Sequence, residues 1–407
     1  MRRTLIIIAI VIVLAGLGVV AYFYFFQGTA GITTAPSPTT STNLPTAGQG
    51  TPPAGETTAT GAIPTTTTAP SAATPVTARL VKISAGPVVP GEAVVNHVAN
   101  ASSSPPEAVV NFVERQSGNV FTYSTLTQTL TRTSNKTIPG IQSASWLPNA
   151  STTFVRYLSG DNFSTINTYA LPANGANGFF LPQNLAGIGI SPTGILTLTS
   201  GVNGSSVSVA RLDGTHSSEL FTTPLSSIRI SFAGKNQYLV YTKPSGTLDG
   251  DAFLVDGTGH FSRIAGPLSG LVALASPSGK WVLVSYVLNG AMQMELVNTT
   301  TGVTTTLPVA TIADKCVWTN NDAAVYCGVP VSPSVSFNYP DDWYQGAVHF
   351  SDRIWKVDIA GRYAQLVLDF TAETKVSLDA ESPAIDALQT TLVFVNKNDG
   401  SLWSYSL

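Results

Sequence analysis

The 407-residue chain has a formal charge of −3, and only 11% of its residues are charged, under half the share of about 25% usual for soluble domains. That balance excludes the basic footprint of a nucleic-acid binder, and no run of like charge forms an acidic tail. Thr, Ser, Gly and Pro stand where charges are missing, a composition suited to β-structure, turns and an extracytoplasmic surface.

Residues 1–3 read as a short cytoplasmic tip, with Arg2 and Arg3 ahead of an uncharged run over 4–26. At 1.5 Å rise per residue such a run crosses a hydrocarbon core of about 30 Å. Tyr22 and Tyr24 fall at the far interface, where aromatic rings are favoured. A cleaved signal peptide would have a shorter apolar core and a small-residue cleavage site, so the run is read as a single-pass signal anchor. The expected location is the cell membrane, with the N-terminus cytoplasmic and the rest of the chain extracytoplasmic. Residues 27–78 are rich in Thr, Pro, Ser and Gly with the single charge Glu56. They cannot bury enough apolar surface to offset ordering and read as a disordered linker or stalk.

From near Pro105 a unit of about 43 residues repeats. Its turn-plus-strand segments are SPPEAVVNFV, LPNASTTFVRY, SPTGILTLTS, AGKNQYLVY, SPSGKWVLVSY, TNNDAAVYCG and DALQTTLVFV. Each is followed by another strand, several of which run into Asp-Gly or related turns at Leu212, Val255 and Val357. Short alternating strands between such turns make an antiparallel meander, and this period is that of a propeller blade. The spacing holds until the last interval, which lengthens to 67 and marks an insertion near 329–352. The seventh unit ends at Leu407 without an outermost strand, while the segment at 79–84 has no unit of its own. The expected fold is all-β: a seven-bladed propeller over 79–407, closed by that N-terminal strand. Closure removes an exposed edge.

Ser276-Pro277-Ser278-Gly279-Lys280-Trp281 and Ser191-Pro192-Thr193-Gly194, with the Val-Asp-Gly turns downstream, resemble the blades of TolB-like and WD40-like propellers. The Gly-His and Trp-Asp pairs of WD40 blades are absent, so the TolB-like description fits better. The resemblance spans most of 79–407 and is architectural. It implies a binding platform, often for other proteins of the cell envelope.

Cys316 and Cys327 flank VWTNNDAAVY, a hairpin whose symmetric turn would set them opposite each other. Cross-strand spacing suits a disulfide, and an extracytoplasmic setting permits it; a register slip would leave two buried thiols. The insertion holds Phe337, Tyr339, Asp341, Asp342, Trp343, Tyr344, His349 and Phe350. Loops inserted into repeats often form the binding face, and Trp and Tyr are common hot spots. These residues form the candidate binding loop; the competing expectation is that the rings only pack the loop onto the propeller.

Asp249, Asp251 and Asp256 miss the spacing of a calcium loop and read as a hairpin turn. His97, His216, His260 and His349 form no metal motif, and neither a metal nor another cofactor is expected. No Walker loop, nucleophile elbow or dinucleotide fingerprint precedes a helix. Three functions are open. The first is a non-enzymatic, membrane-tethered adaptor for an envelope protein partner. The second is a glycan or cell-wall binder that stacks sugars on Trp343 and Tyr344. The third is a hydrolase or lyase using Asp341, Asp342 and His349. No nucleic-acid partner is expected.

Overall fold

The computed structural model describes residues 78–97 and 106–407. The expected membrane span at 4–26 and nearly all of the linker at 27–78 lie outside the described residues. Among those described, no helix is long and apolar enough to cross a membrane.

Seven four-stranded antiparallel sheets form in chain order, each a meander running from an inner strand outwards. Blades one to six span 93–132, 141–180, 187–223, 228–269, 272–306 and 316–369; blade seven spans 380–406. Its fourth strand is Leu80–Lys82, which pairs Leu80 with Tyr405, Val81 with Ser404 and Lys82 with Trp403. Ser84 Oγ accepts from Leu402 N at 2.8 Å, and the Arg79 guanidinium lies 4.8 Å from the Tyr405 ring centre. The seven-bladed ring is therefore closed by the N-terminal strand, as the unpartnered segment implies.

Burial falls from the middle of each blade to its rim. The second strand is covered on both faces by neighbouring blades. Thr391–Asn396 is buried at every position, whereas the rim strand Leu130–Arg132 is exposed at every position. Second strands thus read as apolar runs, not the strict alternation expected from the sequence. Blades four and five touch where their first turns meet. Gly234 and Gly279, both at positive φ, each lie against the other turn's backbone, so a Cβ at either would strike a carbonyl.

The long last interval divides in two. Most of it is the connection 331–351 between the second strand Ala324–Pro330 and the third strand Asp352–Asp358 of blade six. The rest surrounds a helical turn, Phe370–Thr374, on the way to blade seven. The insertion has its own helical turn, Asp341–Tyr344, in a region where strands and loops alone were expected. Asp249 and Asp251 begin the strand Asp249–Asp256, so they do not form the hairpin turn the sequence suggests.

Candidate binding face and axial cavity

Every blade has the same strand order, so all connections between second and third strands open on one face. The insertion lies there and spans several blades. Asp341 Oδ2 accepts from Gly246 N of blade four at 2.9 Å. Asp342 Oδ2 accepts from Asn338 N at 2.7 Å and binds the loop to itself. His349 is exposed and joins neither carboxylate in a hydrogen bond. These three side chains are not gathered into one site, which removes the geometry an acid–base pair with His349 needs.

The aromatic residues point inward. Tyr339, Trp343 and Phe350 belong to the apolar core of blades four to six, and Trp343 is only 1% exposed. Trp343 and Phe350 stack with ring centres 6.4 Å apart, and Tyr339 Oη donates to Ser334 O at 2.7 Å. Phe337 is half-buried beside Tyr339. A buried Trp343 offers no face on which a sugar could stack.

Under the rings lies a buried ion network that the sequence did not reveal. Lys315, with no exposed side-chain surface, pairs with Asp379 and lies 2.8 Å from Asp352. Lys315 Nζ also donates to Ala380 O at 3.0 Å and sits 4.8 Å from the Trp343 ring centre. Trp343 Nε1 and Phe350 N donate to Asp379 Oδ2 at 3.0 and 2.9 Å. Ala380 N donates to Asp352 Oδ2 at 2.7 Å. Burial pushes the Asp352 carboxyl up to about 6, against the opposing pull of Lys315. The network joins the inner strand of blade six, the insertion and the entry to blade seven. A lone Lys before an apolar strand and an Asp in SLDAE carry no signal of this pairing.

Tyr344 forms a second link. Its Oη donates to Asp314 Oδ2 at 2.6 Å, and Arg229 Nη1 donates to the same oxygen at 2.7 Å and to Tyr344 Oη at 3.1 Å. Burial lifts the Tyr344 hydroxyl well above the usual tyrosine range, and the Asp314 charge adds to it. Burial also pushes neighbouring Tyr241 up to about 12. Both tyrosines therefore keep their protons beside the Arg229–Asp314 salt bridge.

Trp343 and Tyr344 also close one end of a cavity on the propeller axis. It holds about 540 Å³ and is lined by inner-strand or strand-entry residues of all seven blades, among them Glu92, Trp146, Ser231, Leu274 and Glu381. Below the insertion, Cys316 and Cys327 are direct cross-strand partners with Cα atoms 4.1 Å apart, and they form the expected disulfide. The hairpin register is as the symmetric turn requires.

The insertion face also carries exposed apolar side chains. Val331 and Val335 are exposed, as are Leu248 and Leu288 in the matching connections of blades four and five. Phe163 and Val202 occupy those connections in blades two and three. Gly290 lies against Val335, so the tips of blades five and six adjoin. Among the described residues, no group of three or more His, Cys, Asp or Glu is placed to hold a metal ion.

No family model matches the chain, and no curated protein sequence does. Among solved structures, an oligogalacturonate lyase in complex with manganese aligns at 8% identity, with TM-score 0.52, over 79% of this chain and 98% of that one. The oligogalacturonate lyase of Vibrio parahaemolyticus aligns at 9% identity, with TM-score 0.54, over 80% and 93%. Hydrazine synthase of Kuenenia stuttgartiensis aligns at 13% identity, with TM-score 0.52, over 80% and 97%. TolB of Acinetobacter baumannii aligns at 11% identity, but its TM-score of 0.42 does not separate TolB-like from other propellers. These likenesses show a shared β-propeller fold, and at such identities they show nothing finer.

Proposed function

We propose that this chain is a non-catalytic, membrane-tethered adaptor that docks an envelope protein on the insertion face of its propeller. One observation carries the reading. Five consecutive blades, two to six, expose an apolar side chain at the same connection: Phe163, Val202, Leu248, Leu288 and Val335. Scattered apolar residues need no explanation, but a row on one face marks a contact surface. At the blade-six end of the row the insertion is held by buried rings and ion pairs, so Val335 sits on a rigid base and loses little entropy on docking. The tether rests on the apolar run 4–26, and the linker at 27–78 sets the reach from the membrane.

The test is in-cell crosslinking and capture of the tagged full-length protein beside the triple variant Leu248→Asp, Leu288→Asp, Val335→Asp. All three positions are at the surface, so the propeller is expected to fold. A discrete protein set lost from the variant is the expected result. The same set captured by both proteins would overturn the assignment of this face. Deleting 331–350 is a poorer test, because it removes Trp343 and Phe350 from the core.

A further inference from the structure

A second cavity adjoins the axial one and contains a cation that no carboxylate matches. It holds about 300 Å³, and its lining includes Gly187 and Ile228, the first residues of the inner strands of blades three and four. Inner strands begin at the end where the second-to-third connections lie, which sets this cavity on the insertion side. The charged side chains that line it are Arg156, Arg229 and Asp314. Arg229 and Asp314 pair with each other at 2.7 Å, so the charge left over is that of Arg156.

Arg156 lies on the second strand of blade two, half-buried and directly across from Ser143. Its Nη2 donates to Leu185 O at 2.5 Å, and no carboxylate pairs with it among the described residues. Nε is buried with no acceptor. Nη1 has no acceptor among the described residues either, but it is not enclosed and keeps accessible surface. Burial pulls the guanidinium below the usual arginine range, with no neighbouring charge opposing the shift. A guanidinium does not escape by losing its proton, so a charge drawn out of water here calls for a counter-charge.

Free hydroxyls stand beside it. Ser143 and Ser145 alternate on the inner strand of blade two and so point to one side, and Ser231 reaches in from blade four. None of these hydroxyls has a hydrogen-bond partner among the described residues, and none is enclosed. Ile188, Leu198, Ile230 and Leu274 supply apolar wall. An unmatched guanidinium, unengaged hydroxyls and an apolar wall together suit a carboxylate that carries a short alkyl tail.

We propose that this cavity binds a small monocarboxylate, with its oxygens on Arg156 Nη1 and the serine hydroxyls and its alkyl chain against Ile188 and Leu274. One unmatched cation sets the ligand charge at one, which disfavours a phosphate dianion. The volume stands at the lower end of the range for small-molecule pockets, about 300–1,000 Å³. The site uses none of the five side chains of the docking row, so the two readings can fail separately. The competing state is an Arg156 that only holds Leu185 O, with water completing its shell.

The experiment is isothermal titration of the purified full-length protein with sodium butyrate. Butyramide, which has the same shape without the charge, and sodium chloride and sodium phosphate at matched ionic strength are the comparators. Saturable binding of butyrate is expected, with the comparators giving none. Arg156→Gln keeps a donor for Leu185 O but removes the charge, and is expected to weaken butyrate binding at least tenfold. Should Arg156→Gln fail to fold, Ser231→Leu, which fills the cavity from another blade, is expected to abolish binding instead. Absence of saturable butyrate binding would overturn the proposal. So would unchanged affinity in either folded variant, or butyramide or phosphate binding as tightly as butyrate.

Discussion

Blades three and six share one strand order and are held together by different means. Blade three, 187–223, relies on the repeat alone. Leu196, Leu198 and Val207 fill its middle, and Ser191 Oγ accepts from Gly194 N at 3.0 Å to lock its first turn. Its second-to-third connection is a tight turn at Gly201–Gly204 that leaves Val202 as its one apolar side chain in solvent. Blade six adds a disulfide, a buried Lys315–Asp352–Asp379 network and a folded insertion carrying three buried rings. The repeat supplies enough apolar surface for a sheet. Anything larger placed on it needs long-range contacts of its own, and in blade six these are polar and buried.

The comparison can be broken most sharply at Lys315. Lys315→Met leaves Asp352 and Asp379 buried without a counter-charge, and truncating such a pair costs about 3–5 kcal/mol. Urea unfolding is expected to show a loss of that size, larger than for a surface change in blade three such as Thr199→Ser. A loss below about 1 kcal/mol would mean the network is replaceable packing.

Next comes the disulfide. Cys316→Ala with Cys327→Ala opens a loop of sequence separation 11, which the chain-entropy model values at about 3 kcal/mol. The expected outcome is a lower melting temperature with unchanged circular dichroism, matched by the wild type under reductant. No shift would show that the hairpin is held by its neighbours alone.

The pH dependence is smaller and has a definite sign. Asp352, at about 6, and Glu92, higher than normal, both bind protons more tightly folded than unfolded. Their contribution is complete below the ordinary carboxyl range of about 4. It is lost as pH rises through about 6 for Asp352 and higher still for Glu92. The urea midpoint is therefore expected to fall between pH 5 and pH 8, and Glu92→Gln should flatten the fall. A midpoint rising over that interval would contradict both assignments. The smallest effect belongs to Val335→Ser, a surface change expected to alter stability by no more than about 0.5 kcal/mol. Its effect should appear in partner capture instead.

Blade count, closure by the strand near 80–82, the Cys316–Cys327 pairing and the place of the insertion were all legible in the sequence. They depend on period, turn chemistry and register, which are local or repeat with the chain. The orientation of Trp343, the contacts of Lys315 and the burial of Glu92 were not legible. Each depends on residues far apart in sequence: Trp343 meets Asp379, and Glu92 lies beside Ala144–Trp146. An aromatic-rich loop reads equally as a ligand platform or as packing, because composition does not say which way a ring points. Only assembly of the ring, which set the insertion against the entry to blade seven and brought all inner strands to one axis, decided which side chains became core and which became surface.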